Sequence, residues 1–290
     1  MLRQSISATC ICFLGFLTLL AVTRTAEAQY ILLVPDQPTV ESPLPAKKVP
    51  TQMDVLVAFV EPQEHAGIDL DRPQMFAVIR RSLAMPENEN AREQAAVPMA
   101  TREDLLGNLE EIKYLNRQAW AANVPLSIPG LYQLITESRP WWNAKDNNFI
   151  QQFVKTTVPV FGEGLGWDEP ANLKFEILPL TRPFGNVAPT HFRGKVLLSG
   201  TPLPDCYVKI TRHNTEERPF PSPWHESQLV KTDGQGIFSF VCPLPGWWGF
   251  MAVTQGDPLK GPDGQIKPLE MGAIIWMYVD ENLPVSRRRK

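Results

Sequence analysis

Proline is the feature that most limits this chain. It occupies 28 of 290 positions, about twice the usual share. It has no backbone N–H to give and its ring clashes with the preceding helical turn, so this density works against long helices. The alternative is many short strands joined by turns. The apolar runs agree. "MDVLVAFV" (53–60) reads as a strand buried on both faces. "MFAVIR" (75–80) reads as another, and "LKFEI" (173–177) alternates cleanly. In "FIQQFVKTTVPVF" (149–161) β-branched residues fall on even positions between Ile150 and Val160. The expected fold class is all-β.

Residues 36–52 form a Pro-rich lead-in, and 82–100 a polar surface loop. Residues 101–122 carry two signals. Thr101 and Asp104 resemble a capping pair, and Leu105, Leu109 and Ile112 have helical spacing. Yet "IPGLYQLITES" (128–138) follows, with a Pro-Gly turn and a tyrosine of the kind that ties down a corner in β-sandwiches. A short helix or turn followed by strands is expected. "PLTRPFGNVAPT" (179–190) reads as a linker. It divides an N-terminal sandwich, 29–185, from a C-terminal one, 190–282, with a basic tail at 283–290.

Turn chemistry dominates the second part. "HFRGKVLLSGTPLPDCYVKI" reads as strand, Ser-Gly turn, strand, and "VKTDGQGIFSFVC" as strand, Asp-Gly turn, strand. "GWWGFMAV" and "AIIWMYVD" supply two more strands, with "KGPDGQIK" between them. Strand alternation puts Phe192, Val196 and Leu198 on one face, Cys206, Val208 and Ile210 on another, and Phe238, Phe240 and Cys242 on a third. Cys206 and Cys242 thus point with the apolar set. They form either a disulfide or two buried thiols.

The first residues bear on location. A single Arg3, the apolar run Ala8–Val22 and the small-x-small site Ala26-Glu27-Ala28 follow the grammar of a cleaved secretory signal. Cleavage after Ala28 predicts an exported chain, periplasmic or secreted, that begins at Gln29. The apolar run is too short to span a bilayer comfortably. The net charge of −3 and the absence of any long basic block argue against a nucleic-acid partner.

Two resemblances extend this reading. "GKVLLSGTPLPDCYVKI" and "KTDGQGIFSF" resemble the carboxypeptidase-regulatory-like, or transthyretin-like, sandwich modules, which bind, space or stabilise. "DRPQMFAVI", "PGLYQLITESRPWWNAKDNNFI", "FGEGLGWDEP", "LKFEILPLTRPFG", "FRGKVLLSG", "PGWWGFMAV" and "MGAIIWMYV", in that order, resemble an exported bacterial family. That family is often labelled a periplasmic component of nickel or cobalt uptake. The resemblance implies Ni²⁺ or Co²⁺ as ligand and a membrane transport component as partner. In the family the mature chain commonly begins with His, and the first long strand runs into Phe-x-His-Pro. Here the first position is Gln29, whose amine can also cyclise, and the second element is Phe59-Val60-Glu61-Pro62. His65 stands four residues beyond Glu61 and is the natural substitute. Gln29, Glu61 and His65 are therefore the candidate metal ligands.

The four histidines, His65, His191, His213 and His225, show no H-x-x-x-H spacing. "GEGLG" (162–166) has no helix after it, and no nucleophile-elbow or zincin motif occurs. The expectation is a non-catalytic envelope binding protein. The alternative is an adhesion or scaffolding protein that presents loops and the pairs Trp141-Trp142 and Trp247-Trp248 to a protein or glycan.

Overall fold

The computed structural model describes residues 29–41, 51–84 and 97–282. The expected signal segment, residues 42–50 of the Pro-rich lead-in, the centre of the 82–100 loop and the expected basic tail lie outside the described residues. The first part runs β1 (Tyr30–Pro35), β2 (Gln52–Glu61), β3 (Ala66–Ile68), β4 (Met75–Ala84), β5 (Val97–Asp104), β6 (Glu110–Tyr114) and β7 (Arg117–Pro125). Then come β8 (Gly130–Glu137), β9 (Trp141–Asn143), β10 (Asn148–Val160), β11 (Phe175–Pro179) and β12 (Asn186–Val187). The rest is β13 (Thr190–Leu198), β14 (Thr201–Pro202), β15 (Tyr207–Arg212), β16 (Gln228–Lys231), β17 (Ile237–Cys242), β18 (Gly246–Lys260) and β19 (Ile266–Asp280). The all-β expectation holds.

These strands form three sheets. The first has the order β1-β2-β7-β6, with β3 beside β2. The central, ten-stranded sheet has the order β16-β15-β18-β19-β10-β8-β4-β5, with β9 and β12 on its flanks. The third has the order β11-β13-β14, with β17 also on β13. Side-chain alternation explains why the central sheet carries two cores. Phe76, Val78, Val154, Val158, Ile274 and Trp276 face the first sheet. Their neighbours Ala77, Ile79, Phe153, Ile275 and Met277 face the third. A strand apolar on both faces has to be covered on both.

The linker at 179–190 therefore separates two runs of chain but not two sheets. β10, from the first run, pairs in parallel with β19, from the second, between Phe149↔Leu269 and Thr156↔Trp276. The linker itself supplies β12, which lies along the end of β19.

Local turn chemistry is mostly realised. Ser199 and Gly200 take φ of 50° and 78° and close the β13–β14 hairpin, as a two-residue turn of that kind requires. β18 and β19 form the expected hairpin. The Asp-Gly turn differs from expectation. β16 pairs with β15 in the central sheet, whereas β17 pairs with β13 in the third. The segment is an arch over the second core, not a hairpin. The Asp233 carboxylate accepts the backbone N–H groups of Gln235 and Ile237, each at 2.9 Å. It shapes the turn without choosing which sheet receives the next strand.

Residues 101–122 resolve as strands around one 3-10 turn, Leu106–Asn108. Asp104 Oδ1 accepts the Leu106 N–H at 2.9 Å, a turn-forming contact. Leu105 and Leu109 are buried in the first core, so their helix-like spacing reflects a tight turn over apolar ground. Tyr132 behaves as the corner residue: its hydroxyl donates to the Ile128 carbonyl at 3.0 Å. Tyr132→Phe is expected to cost about 0.5–1.5 kcal/mol, read by urea unfolding; an unchanged midpoint would mean the corner bond adds nothing.

Of the two alternatives for the cysteines, the structure shows free thiols. They enter the second core from different sheets, Cys206 just before β15 and Cys242 at the end of β17. Cys206 Sγ lies against the Val253 carbonyl at 3.4 Å. Burial pushes the Cys242 thiol up to about 12, so it stays protonated and unreactive.

Candidate functional site

β1 is an edge strand, and an edge strand leaves backbone groups unpaired. Here side chains of the central sheet cover them. Gln152 on β10 accepts the Ile31 N–H through Oε1 and donates from Nε2 to the Gln29 carbonyl, both at 2.7 Å. The Trp276 indole N–H donates to the Ile31 carbonyl at 2.9 Å, and the Thr156 hydroxyl to that of Leu33. The head of the described chain is thereby fixed against β10 and β19.

β2 runs antiparallel to β1, so its far end returns to the start of β1, with Tyr30↔Val60 in register. Two of the three sequence candidates meet there. Gln29 Nε2 donates to Glu61 Oε1 at 3.4 Å. His65 ends the turn that joins β2 to β3, where Glu61 pairs with Ala66. Its φ is 49°, a left-handed conformation uncommon for a residue with a side chain. Its ring turns toward the second half of the chain. The His65 and His213 ring centres are 5.5 Å apart, and His65 Nδ1 is 3.5 Å from Glu217 Oε1.

His213 had no signal in the sequence beyond its place after an apolar strand. It follows β15 directly, and its N–H donates to the Trp247 carbonyl at 2.9 Å. Its ring is buried, 3.2 Å through Nε2 from the Tyr114 hydroxyl and 6.5 Å centre to centre from Trp276. Burial, with the nearby His65 and Arg212, pulls the imidazole down to about 4. It is neutral at ordinary pH and able to bind through a lone pair. The Nδ1 atom of His213 is hidden from solvent without a hydrogen-bond partner, whereas that of His65, also hidden, faces the Glu217 carboxylate.

Asn214 holds this arrangement together. Its N–H donates to the Pro62 carbonyl at 3.0 Å, and its amide donates to the carbonyls of Gln63 at 3.2 Å and Arg218 at 2.9 Å. The turn from the first half and the loop from the second are thus one unit. Among the described residues, no three His, Cys, Asp or Glu side chains are grouped closely enough to hold an ion as they stand.

A second feature adjoins this unit and shares Arg212, Asn214 and Arg218 with it. A cleft of about 450 Å³ runs beneath the Pro-rich loop, between Phe220, Phe240, Leu244 and Trp248. Beside it Trp224 is 76% exposed. The two tryptophan pairs do not form a flat platform. Trp247 packs toward the first core and Trp248 into the second. Trp141 packs edge-on against Phe59 and Trp142 tilts against Phe149.

This chain is similar to the D00-D0 domain of intimin, at 12% identity over 87% of this chain and 100% of that one, with a TM-score of 0.19. It is similar to BcpA, the major pilin subunit of Bacillus cereus, at 10% identity over 88% and 70%, with a TM-score of 0.17. Likenesses this slight say nothing about function. No curated protein matches the chain. One family model does match, over residues 26–256, and by it the chain belongs to the family described as a domain of unknown function, DUF4198.

Proposed function

We propose that this is an exported, non-catalytic envelope protein that binds a borderline divalent cation, of the nickel and cobalt class, for delivery to a membrane transport component. The binding region is the end of the first sandwich, where Gln29, Glu61 and His65 lie. The observation that supports the reading is the meeting of Gln29 and Glu61 at 3.4 Å across 32 residues, beside a turn that ends in His65. If the chain is cut after Ala28, the Gln29 amine becomes a further donor at this place. Amine, carboxylate and imidazole together match the preferences of such ions.

The test is calorimetric titration of the untagged chain beginning at Gln29 with Ni²⁺ and Co²⁺. Binding with a Kd on the order of micromolar or tighter is expected, weakened by His65→Ala. No detectable binding of either ion removes this reading. A second reading, an adhesion or scaffolding role, is favoured by the exposed Trp224 beside the apolar cleft. A change in fluorescence on adding envelope glycan, absent in Trp224→Leu, would support it; the same response in both proteins would count against it.

A further inference from the structure

We propose that the cleft beneath the Pro-rich loop binds an amphipathic carboxylate, a medium-chain acyl or aryl acid. Its apolar body lies against Phe240 and Trp248, and its carboxylate is held by Arg218. This site stands apart from the cation reading and shares no ligand residue with it.

Size and lining carry the apolar half of the assignment. A cleft of about 450 Å³ falls within the roughly 300–1,000 Å³ of sites that take small organic ligands. Its floor is the edge of the second core, where Ile210 and Trp248 are 1% and 6% exposed. The Phe240 ring centre stands 5.8 Å from that of Trp248. The Trp248 indole N–H is already donated to the Leu244 carbonyl at 2.8 Å, so the ring offers the cleft only apolar surface. Pro219, Pro221 and Pro243 add walls that have no backbone N–H to satisfy. Hydrocarbon can cover such a floor without leaving a polar group unpaired.

The charged half follows from the arginines. Arg212 Nη2 donates to both Glu216 carboxylate oxygens at 3.2 Å, and Arg218 Nε stands 2.5 Å from Glu216 Oε2. Two guanidiniums thus face one carboxylate, which leaves one positive charge in excess. Arg212 is turned away from a ligand, since its Nε also donates to the Pro245 carbonyl at 2.6 Å. Arg218 is 63% exposed, and among the described residues its two terminal NH₂ groups are free for a second carboxylate. The planar fork of arginine meets a carboxylate with two parallel hydrogen bonds. The backbone of Arg218 is fixed in advance. Asn214 Oδ1 accepts its N–H at 3.1 Å, and Asn214 Nδ2 donates to its carbonyl at 2.9 Å. Order already present in the free protein need not be imposed on binding. Glu226 also lines the cleft and repels an anion, so it weakens the site and its removal has a predictable sign.

The probe is octanoate, titrated into the chain beginning at Gln29. Octanol, with the same chain length and no charge, is the comparison. Methyl resonances of Ile210 and Leu244 report where each compound sits. Octanoate is expected to bind with a Kd on the order of 100 μM or tighter and to shift both sets of resonances. Those of Ile31, in the first core, should not move. Octanol should bind about 10-fold more weakly. Arg218→Met, at an exposed position, is expected to keep the fold by circular dichroism and to lose about 10-fold in octanoate affinity. Arg218→Lys should recover part of that loss. Glu226→Gln should tighten octanoate binding about 2- to 5-fold and leave octanol unchanged, a response that a merely structural glutamate would not give.

Equal affinity for octanoate and octanol, or full octanoate affinity in Arg218→Met, overturns the carboxylate assignment. If neither compound moves the Ile210 and Leu244 resonances, the site itself falls. The cation reading is tested separately with Ni²⁺ and Co²⁺, so the failure of one leaves the other intact.

Discussion

Replacing Lys155 with methionine is expected to destabilise the protein by about 3–5 kcal/mol. Lys155 on β10 and Glu176 on β11 join the central and third sheets at 2.8 Å, with side chains only 1% and 2% exposed. Burial pulls the Lys155 ammonium below its usual range, against the opposing pull of Glu176. Glu176 also accepts the backbone N–H groups of Ala171 at 3.0 Å and Asn172 at 3.1 Å. Removing the lysine alone strands a carboxylate in an apolar core. Removing the charge as well should recover part of the loss. The two N–H groups bond to different carboxylate oxygens, and Glu176→Gln keeps only one acceptor oxygen, so Lys155→Met with Glu176→Gln should be more stable than Lys155→Met alone but less stable than the parent. Urea unfolding of the two variants and the parent decides it. A double variant no better than the single one would show that the cost is packing, not stranded charge.

Acid should weaken the protein through His213. Its folded-state value of about 4 lies below the ordinary histidine value near 6.5. The unfolded chain therefore binds this proton more readily than the folded one. The stabilisation from keeping His213 neutral is fully present above about pH 6.5 and is lost as pH falls toward 4. Between pH 7.5 and 4.5 the loss from this residue should be about 2–3 kcal/mol. His213→Gln carries no titrating group there, and its stability should vary less with pH over that range. Unfolding midpoints at the two pH values, with a chelator present, provide the comparison. Parallel changes in parent and variant would mean that His213 does not set the acid response.

The strands were legible because their signals are local. Alternation in "FIQQFVKTTVPVF" placed Val154 and Val158 on one face before any fold was known, and the structure puts both in the first core. Tyr132 was legible as a corner residue from its place after Pro129-Gly130. Ser199-Gly200 was legible because few residue pairs accept two left-handed conformations in succession. Residues 101–122 were harder, since one tight turn over a core imitates helical spacing.

Of the candidate site, the sequence pointed to Glu61 and His65 as near neighbours and to Gln29 through family resemblance. It was silent on His213, Tyr114 and Glu217. No periodicity links residues 65, 114 and 213–217. They meet because β6, the β2–β3 turn and the end of β15 converge, and Asn214 fastens two of these together. The arch from β16 to β17 illustrates the same limit. Its turn residues are readable, but either sheet would accept an apolar strand there.

By itself, then, the sequence determined the class of fold, the position of most strands and the sharp turns. Prolines, β-branched alternation and glycine conformations act within a few residues. Only the tertiary structure decided that β10 and β19 lie side by side, that one sheet serves two cores, and that two histidines from opposite halves face each other. Those outcomes depend on how apolar faces far apart in sequence cover one another, and burying both faces of the same strands leaves a central sheet shared between the halves.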